Sequence, residues 1–576
     1  MTFTSRSPTS GATPSWSRDR VQPSAFLGAR AGARNFGEPS ISRDRIPRLR
    51  YTRPVFRNVL TVGGWTLASR VLGFVRDILI AAILGAGPVA DAFIVALKLP
   101  NLFRRLFGEG AFNAAFVPAF SGMLAAEGRA AARQFAEETF AVMAFWLGAL
   151  TLVGEIFMPQ LMTVLAPGFG AIPTKFALAV TLSRITFPYL LLICLAALVS
   201  GVLNGLDRFT AAASSYVLFN IISIVFLLWL TPHVPTPGHA LALGVTVSGI
   251  VQLAMLLFAV RRAGMGLRLL RPRLTPQVRA LLRRMLPGLV GAGVTQLNLT
   301  VDVIIASLLP SGTVSLLYYA DRVQQLPLGV LGTAVGTALL PLLSRQVRAG
   351  QAEAALGTLN RAIEYALFLT LPAAVALAVI AYPVMWSLFG RGAFGPTSAL
   401  LSSHALIAYA LGLPAFVLAK VLAPGFFARG DMATPVKIGL GAVLLNLALN
   451  IAFMVPLQQV GPALATSVAA VFNVGWMAVV LARRGQWRAD VRLRQRILRV
   501  AAAAAAMGLV LSGAEHAMFV TSFRGLARLA VLAALVAIGI ATYGAAAVAF
   551  GASDWQELAR IMRRRAPKFP SGAKHR

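Results

Sequence analysis

Long apolar runs recur through this chain from about residue 57 to residue 551, and they constrain its fold more than any other feature. Fourteen can be delimited, near 57–84, 89–123, 136–165, 174–204, 210–231, 237–260, 283–309, 313–344, 359–386, 398–427, 434–455, 459–482, 497–514 and 525–551. Each is long enough for a hydrocarbon layer roughly 30 Å thick, some only with tilt or a break. Water is absent there, so every backbone polar group must be satisfied within the segment, which demands helices. The composition agrees: 57% of residues are hydrophobic and 13% charged, where a soluble domain carries roughly 25% charged residues. The expected fold class is an all-α polytopic membrane protein with about fourteen transmembrane helices.

The charge outside the spans orients them. The formal net charge is +33, from 53 Lys plus Arg against 20 Asp plus Glu. The loop after the sixth span holds Arg261, Arg262, Arg268, Arg271, Arg273, Arg279, Arg283 and Arg284; the loop after the twelfth holds Arg483, Arg484, Arg488, Arg492, Arg494, Arg496 and Arg499. The tail adds Arg563, Arg564, Arg565 and Lys568. All three fall on one side if every span crosses, whereas the loops 231–240, 308–315 and 455–462 carry no Lys, Arg, Asp or Glu. The positive-inside rule then places both termini in the cytoplasm. Topology thus accounts for the basic excess. Nucleic-acid binding does not, because no folded basic domain stands outside the membrane. The single cysteine, Cys194, excludes intramolecular disulfides, and the five histidines form no metal-ligand spacing.

Residues 1–54 differ in kind. They are rich in Ser, Pro, Gly and Arg, nearly free of acids, and lack an apolar core, so they are no secretory signal. Disorder is expected; an organellar transit peptide and a translation start placed too far upstream are the alternatives.

The chain also repeats itself. AFVPAFSGMLAAEGRAAA (115–132) resembles ALLPLLSRQVRAGQAEAA (338–355), and LNGLDRFTAAAS (203–214) resembles APGFFARGDMATP (423–435). The offset is about 220 residues both times, equal to six spans. Repeats of this size in transporters form two bundles with a site between them. The expected organisation is an N-lobe at 55–272 (spans 1–6), a C-lobe at 273–484 (spans 7–12), an appended pair at 485–551 and a basic cytoplasmic tail at 552–576. The pair, Ala-rich and poor in charge, should face lipid.

Residues 69–110 carry charge where lipid-soluble segments should not: Arg70, Arg76 and Asp77 in the first span, then Asp91, Lys98, Arg104, Arg105 and Glu109 in the second. A charge at the bilayer centre costs about 2.5–3.5 kcal/mol on insertion scales, so such residues face a bundle interior or a wet cavity. Arg70 and Asp77, seven apart, share a helix face, as do Asp91 and Lys98; Lys98, Asn101 and Arg105 share another. Arg76 points elsewhere on an ideal helix. Pro100 lacks an amide hydrogen, and Gly108 and Gly110 loosen the next turns, so this helix should break and bend there. The seventh span adds Asp302. The eighth opens at Ser315 and contains Asp321 and Arg322; by the repeat it should face residues 89–118 across the cavity. Internal pairing explains Asp77, Arg105, Glu109 or the Asp321–Arg322 neighbours without any ligand. For Arg70, Arg76, Asp91 and Arg104 a ligand is favoured. Basic residues outnumber acids, so an anion would complete the balance, and the arginine fork suits a phosphate or pyrophosphate.

Four segments then carry a specific resemblance: SRVLGFVRD, DAFIVALKLPNLFRRLFGEGAF, YYADR and KVLAPGFFARGDMATPVK (420–437) are similar to the MurJ (MviN) family of lipid II flippases, in the multidrug/oligosaccharidyl-lipid/polysaccharide exporter superfamily. The similarity runs from about Val55 to the tail. It implies two pseudo-symmetric six-helix lobes around a central cavity plus two C-terminal helices, in the bacterial inner membrane. It implies alternating-access transfer of undecaprenyl-pyrophosphate-linked peptidoglycan precursor from the cytoplasmic to the outer leaflet. By motif position, Arg70, Arg76, Arg104 and Arg322 resemble the family's cavity arginines, and Asp91, Asn101, Glu109 and Ser315 match further functional positions. Lipid II and membrane lipids are the implied partners, with other cell-wall synthesis proteins beyond them. Residues 1–54 have no counterpart.

No Walker-type phosphate loop is present, so an ion gradient (Na+ or H+) or the membrane potential is the expected energy source. Asp302, Asn446, Asn450 and Thr466 offer oxygen ligands for a monovalent cation; ordinary interhelical hydrogen bonding is the alternative. Some family members have a sodium site on these spans, though often with a carboxylate where Asn450 stands. An exporter of another polyprenyl-linked oligosaccharide or of drugs would share the fold. A membrane enzyme acting on prenyl phosphates would need clustered carboxylates or histidines, and only single intramembrane acids occur.

Overall fold

A computed structural model of the chain describes residues 52–105, 111–519 and 525–552. Glu109, Gly108, Gly110, the first 51 residues and the tail arginines lie outside the described residues. All regular structure among the described residues is helical. The first half comprises α1 (Thr52–Leu84), α2 (Pro88–Ala96), α3 (Lys98–Phe103), α4 (Ala111–Ala126), α5 (Gly128–Ile156), α6 (Met158–Leu165), α7 (Pro173–Thr186), α8 (Tyr189–Gly205), α9 (Phe209–Trp229) and α10 (Pro237–Arg262). The second half comprises α11 (Pro276–Ser307), α12 (Thr313–Arg348), α13 (Ala352–Val379), α14 (Ala381–Phe389), α15 (Pro396–Phe427), α16 (Ala433–Phe453) and α17 (Val460–Arg483). Then follow α18 (Val491–Met518) and α19 (Gly525–Ala549).

Proline sets many of the starts. Pro88, Pro173, Pro237, Pro276 and Pro396 occupy first turns, where a missing amide hydrogen costs nothing and φ is already helical. Asp490 caps α18 by accepting from the Leu493 amide at 2.7 Å. Each expected apolar run coincides with one helix or with two or three in series, and ten helical segments among the described residues, α7 and α8 taken as one, are long and apolar enough to cross a bilayer.

Three cores divide the molecule. The largest knits the first half to one end of the second: Phe93, Phe116, Phe135 and Leu190 join Tyr319, Met385, Phe389 and Phe394. Phe112, Phe116 and Phe120, one turn apart on α4, stack at 5.1 and 5.8 Å, and Phe116 meets Phe135 of α5 at 5.7 Å. A second core holds only residues of the second half and the start of α18, among them Leu339, Leu343, Leu359, Val417, Phe426 and Leu481. A third, around Val500, Met507 and Tyr543, belongs to the appended pair. The second-half members of the shared core lie mainly at 306–323 and 380–409, away from the arginine-rich loops, while Val260, Met265, Leu281 and Met285 carry it to the loop that joins the halves. The lobes therefore share a core away from most of the arginine-rich residues, touch again through the first turns of α11, and the second half keeps a further core of its own.

Candidate functional site

The lobes meet along α1 and α12, and Asp77 stands at the centre of that meeting. It is 3% exposed. Its Oδ1 accepts from Arg76 Nη2 at 2.9 Å and from the Tyr318 hydroxyl at 3.1 Å, while Arg322 Nε lies 3.2 Å from Oδ2 as an ion pair. One carboxylate thus answers two guanidinium groups, one from each lobe. Arg322 also stacks over the Tyr318 ring at 4.7 Å, and Arg76 over Phe219 at 5.4 Å. Phe219 packs on Tyr189 at 5.5 Å, and Tyr189 lies in electrostatic reach of both Arg104 and Arg76. These aromatic faces hold the cations by their π clouds and leave charge to spare. Further along α1, a Cβ on Gly329 of α12 would sit 2.8 Å from Nη1 of Arg70. The guanidinium of Arg70 thus lies close against the α12 backbone at Gly329.

The structure therefore brings Arg70, Arg76 and Arg322 to one seam. Arg76 does not point away: its long side chain reaches back to its neighbour Asp77. Arg322 pairs across the lobes, while Asp321 accepts from Gln325 instead. The repeat's implication that residues 315–327 face the second span holds at Lys98, which interacts electrostatically with Asp302, Asp321, Arg105 and Arg322.

The second span breaks as expected, but at Leu97, not at Pro100. Pro100 is buried in the first turn of α3. Its missing amide leaves the Ala96 carbonyl without its helical donor, and the Thr186 hydroxyl of α7 supplies one at 3.1 Å. A freed carbonyl at membrane depth needs such a partner. Arg104 and Arg105 then run into π-type bonding, and Arg104 Nε donates to Asn101 Oδ1 at 3.3 Å. Such bulges mark functional turns of helices.

Asp91 and Ser315 depart from expectation. Both are 0% exposed. Asp91 Oδ2 accepts from Lys175 Nζ at 2.7 Å and from the Gly312 amide at 2.7 Å; Oδ1 accepts from the Ser315 amide at 2.9 Å and hydroxyl at 2.8 Å. The reason is dielectric: a fully buried carboxylate persists only when donors satisfy it. Asp91 also does not pair with Lys98. It caps α12, a helix of the other lobe, and Lys175 balances its charge while stacking on Phe169 at 4.0 Å. Sequence reading missed Lys175. The signal was available: it is one of few basic residues at the face that the positive-inside rule empties.

Around this latch, backbone meets backbone. A Cβ at Gly168 would overlap the Ser307 carbonyl, one at Gly392 the Ala82 carbonyl, and one at Gly85 would lie 2.6 Å from the Ala393 carbonyl. The Ala393 amide donates to Ala82 at 2.8 Å and the Tyr319 hydroxyl to Gly85 at 3.0 Å.

The four residues considered for a cation do assemble. Thr466 Oγ1 donates to Asp302 Oδ2 at 3.0 Å, and Asn450 Nδ2 donates to Asp302 Oδ1 at 3.2 Å. Asn446 Nδ2 donates to Thr466 at 3.1 Å, and its own amide oxygen accepts from Asn450 at 3.0 Å.

Comparison with known proteins decides the family. The sequence profile described as "Lipid II flippase MurJ" matches residues 80–529. The chain belongs to the MurJ family. A "Probable lipid II flippase MurJ" of Rhizobium meliloti (strain 1021) is 45% identical over 511 residues, covering 88% of this chain and 95% of that protein. The "Lipid II flippase MurJ" of Burkholderia cenocepacia is 36% identical over 466 residues, covering 80% and 90%. A solved MurJ structure titled "inward closed conformation" superposes with a TM-score of 0.71 at 25% identity, over 87% of this chain and 99% of that one. An inward-facing multidrug resistance MATE family transporter of the MOP superfamily shares the fold alone, with a TM-score of 0.61 at 14% identity over 73% and 96%. In this MurJ-family chain the all-helical architecture matches that of the solved MurJ structure.

Proposed function

We propose that this chain moves lipid II, undecaprenyl-pyrophosphate-linked disaccharide-peptide, from the cytoplasmic to the outer leaflet by alternating access. It acts as a transporter, not an enzyme. Family membership supports the substrate, and the Asp77 hub carries the mechanism. Two arginines from opposite lobes share one carboxylate, so the seam holds net positive charge that a pyrophosphate would neutralise. Arg70, Arg76, Arg104 and Arg322 bind the headgroup, with Asn101 orienting Arg104. Arginine's planar fork spans two phosphate oxygens where a lysine would meet one. Asp91 and Ser315 act on the opposite face as a latch and touch no headgroup. The chain crosses the bacterial inner membrane fourteen times, with both termini cytoplasmic, which the arginine-rich loops support. The face that carries the Asp91 latch is then the outer one, and the conformation described is closed there.

Coupling rests on a cation, Na+ or H+. Asp302, Asn446, Asn450 and Thr466 supply carboxylate, amide and hydroxyl oxygens, a donor set that suits a small hard cation, and rotation of the Asn450 amide would turn its oxygen toward Asp302. A bound cation would add positive charge at α11, α16 and α17. Movement of one such charge through 100 mV gains about 2.3 kcal/mol.

The test is leaflet accessibility of lipid II in cells depleted of their own flippase. Wild-type chain should restore outer-leaflet lipid II, and Arg322→Ala should not, at equal membrane abundance. Restoration by Arg322→Ala would remove the headgroup role; no restoration by the wild type would remove the substrate.

A further inference from the structure

A second basic site lies away from the lobe seam. At the start of α11 a cleft of about 380 Å3 is lined by Leu274, Pro276, Arg279, Ala280, Arg283 and Arg284. The three arginines are exposed, and their guanidinium groups make no ion pair or hydrogen bond with any described residue. No Asp or Glu occurs between residues 261 and 301. Two acids of α5 are spent on holding the linker itself: Glu137 accepts from the Arg268 amide at 3.0 Å and from Arg133 at 2.9 Å, and Glu138 accepts from the Thr275 hydroxyl at 2.8 Å. The linker is thus pinned to α5 through its amide and hydroxyl groups while its guanidinium groups stay free for another anion.

The apolar pattern says where that anion lies. Val278, Leu281 and Met285 are buried against the protein, whereas Leu269, Leu270, Leu274, Leu282 and Leu286 are exposed. Exposed leucines interleaved with unpaired arginines, at the end of a membrane-spanning helix, fit the boundary between headgroups and acyl chains. We propose that this cleft binds the phosphodiester headgroup of an anionic bilayer phospholipid, anchoring the link between the two lobes to the cytoplasmic leaflet. The site is independent of the headgroup reading above.

Native mass spectrometry of the full chain, offered phosphatidylglycerol or phosphatidylcholine, tests it. The wild type should retain phosphatidylglycerol preferentially and lose that preference at high salt. The triple variant Arg279→Gln, Arg283→Gln, Arg284→Gln should lose at least about tenfold of the preference, since each basic residue near an anionic surface is worth roughly a factor of five. The corresponding triple Lys variant should keep most of it, and the single Arg279→Gln should lose several-fold, which covers a misfolded triple. Unchanged phosphatidylglycerol preference in the Gln variants would overturn the proposal. So would loss of lipid II binding with phosphatidylglycerol binding intact, because the cleft would then be a station for the substrate.

Discussion

Asp77 is bonded to both lobes, so its neighbours respond to it in opposite ways. Asp77→Asn keeps the shape and removes the charge, leaving Arg76 and Arg322 facing each other across the seam. Flipping should fall by orders of magnitude, read as loss of complementation at normal membrane abundance. Arg322→Lys should also fail, because an ammonium cannot both pair with Asp77 and stack flat on Tyr318. Asp91 and Lys175 form the other residue-scale pair. Removing one partner of a buried ion pair costs about 3–5 kcal/mol. Lys175→Met should therefore destabilise the outward-closed state, measured as faster maleimide labelling of a cysteine placed at Ser311. Asp91→Asn added to it should recover part of the loss, since the charge left unpaired is then gone.

The broken second span turns on Pro100 and Thr186. Pro100→Ala restores an amide that competes for the Ala96 carbonyl, so α2 and α3 should fuse and transport should slow with substrate binding retained. A comparison of lipid II binding with lipid II accessibility separates the two. At the arginine-rich face, Asp431 links two loops: the Thr434 hydrogen bond first, then Arg484 at 2.6 Å, hold its carboxyl well below the usual range. A lowered pKa contributes stability above the ordinary carboxylate value near 4, lost only as pH falls further. This link should therefore stay intact through mild acid. Helix positions were readable from apolar runs because hydrophobic thickness fixes their length. The arginines of the seam were readable because a membrane makes stray charge expensive. Partner choice was not. Nothing in the spacing of Asp91 announces that it caps α12, over two hundred residues away, since that depends on how the lobes pack. The break fell at Leu97 because the proline's effect is felt at the carbonyl four residues earlier.

For the molecule as a whole, a core shared by both lobes and a further core held by the second alone describe two bodies that can pivot, with the first turns of α11 crossing between them. The hydrogen-bonded cluster of Asp302, Asn446, Asn450 and Thr466 on α11, α16 and α17 lies wholly in the second lobe. Asp302→Asn should abolish any dependence of lipid II transfer on the cation gradient; unchanged dependence would place coupling elsewhere. The glycine contacts at Gly168 and Gly392 bear on how sharply the pivot works. Gly392→Ala should keep this face from seating and should raise its accessibility to aqueous labels. Side chains that close an interface can settle by degrees, each finding another rotamer. A seam of main chain against main chain has no rotamers to exchange. It is either seated or parted, so single-molecule distance measurements across it should show two discrete populations and little between them.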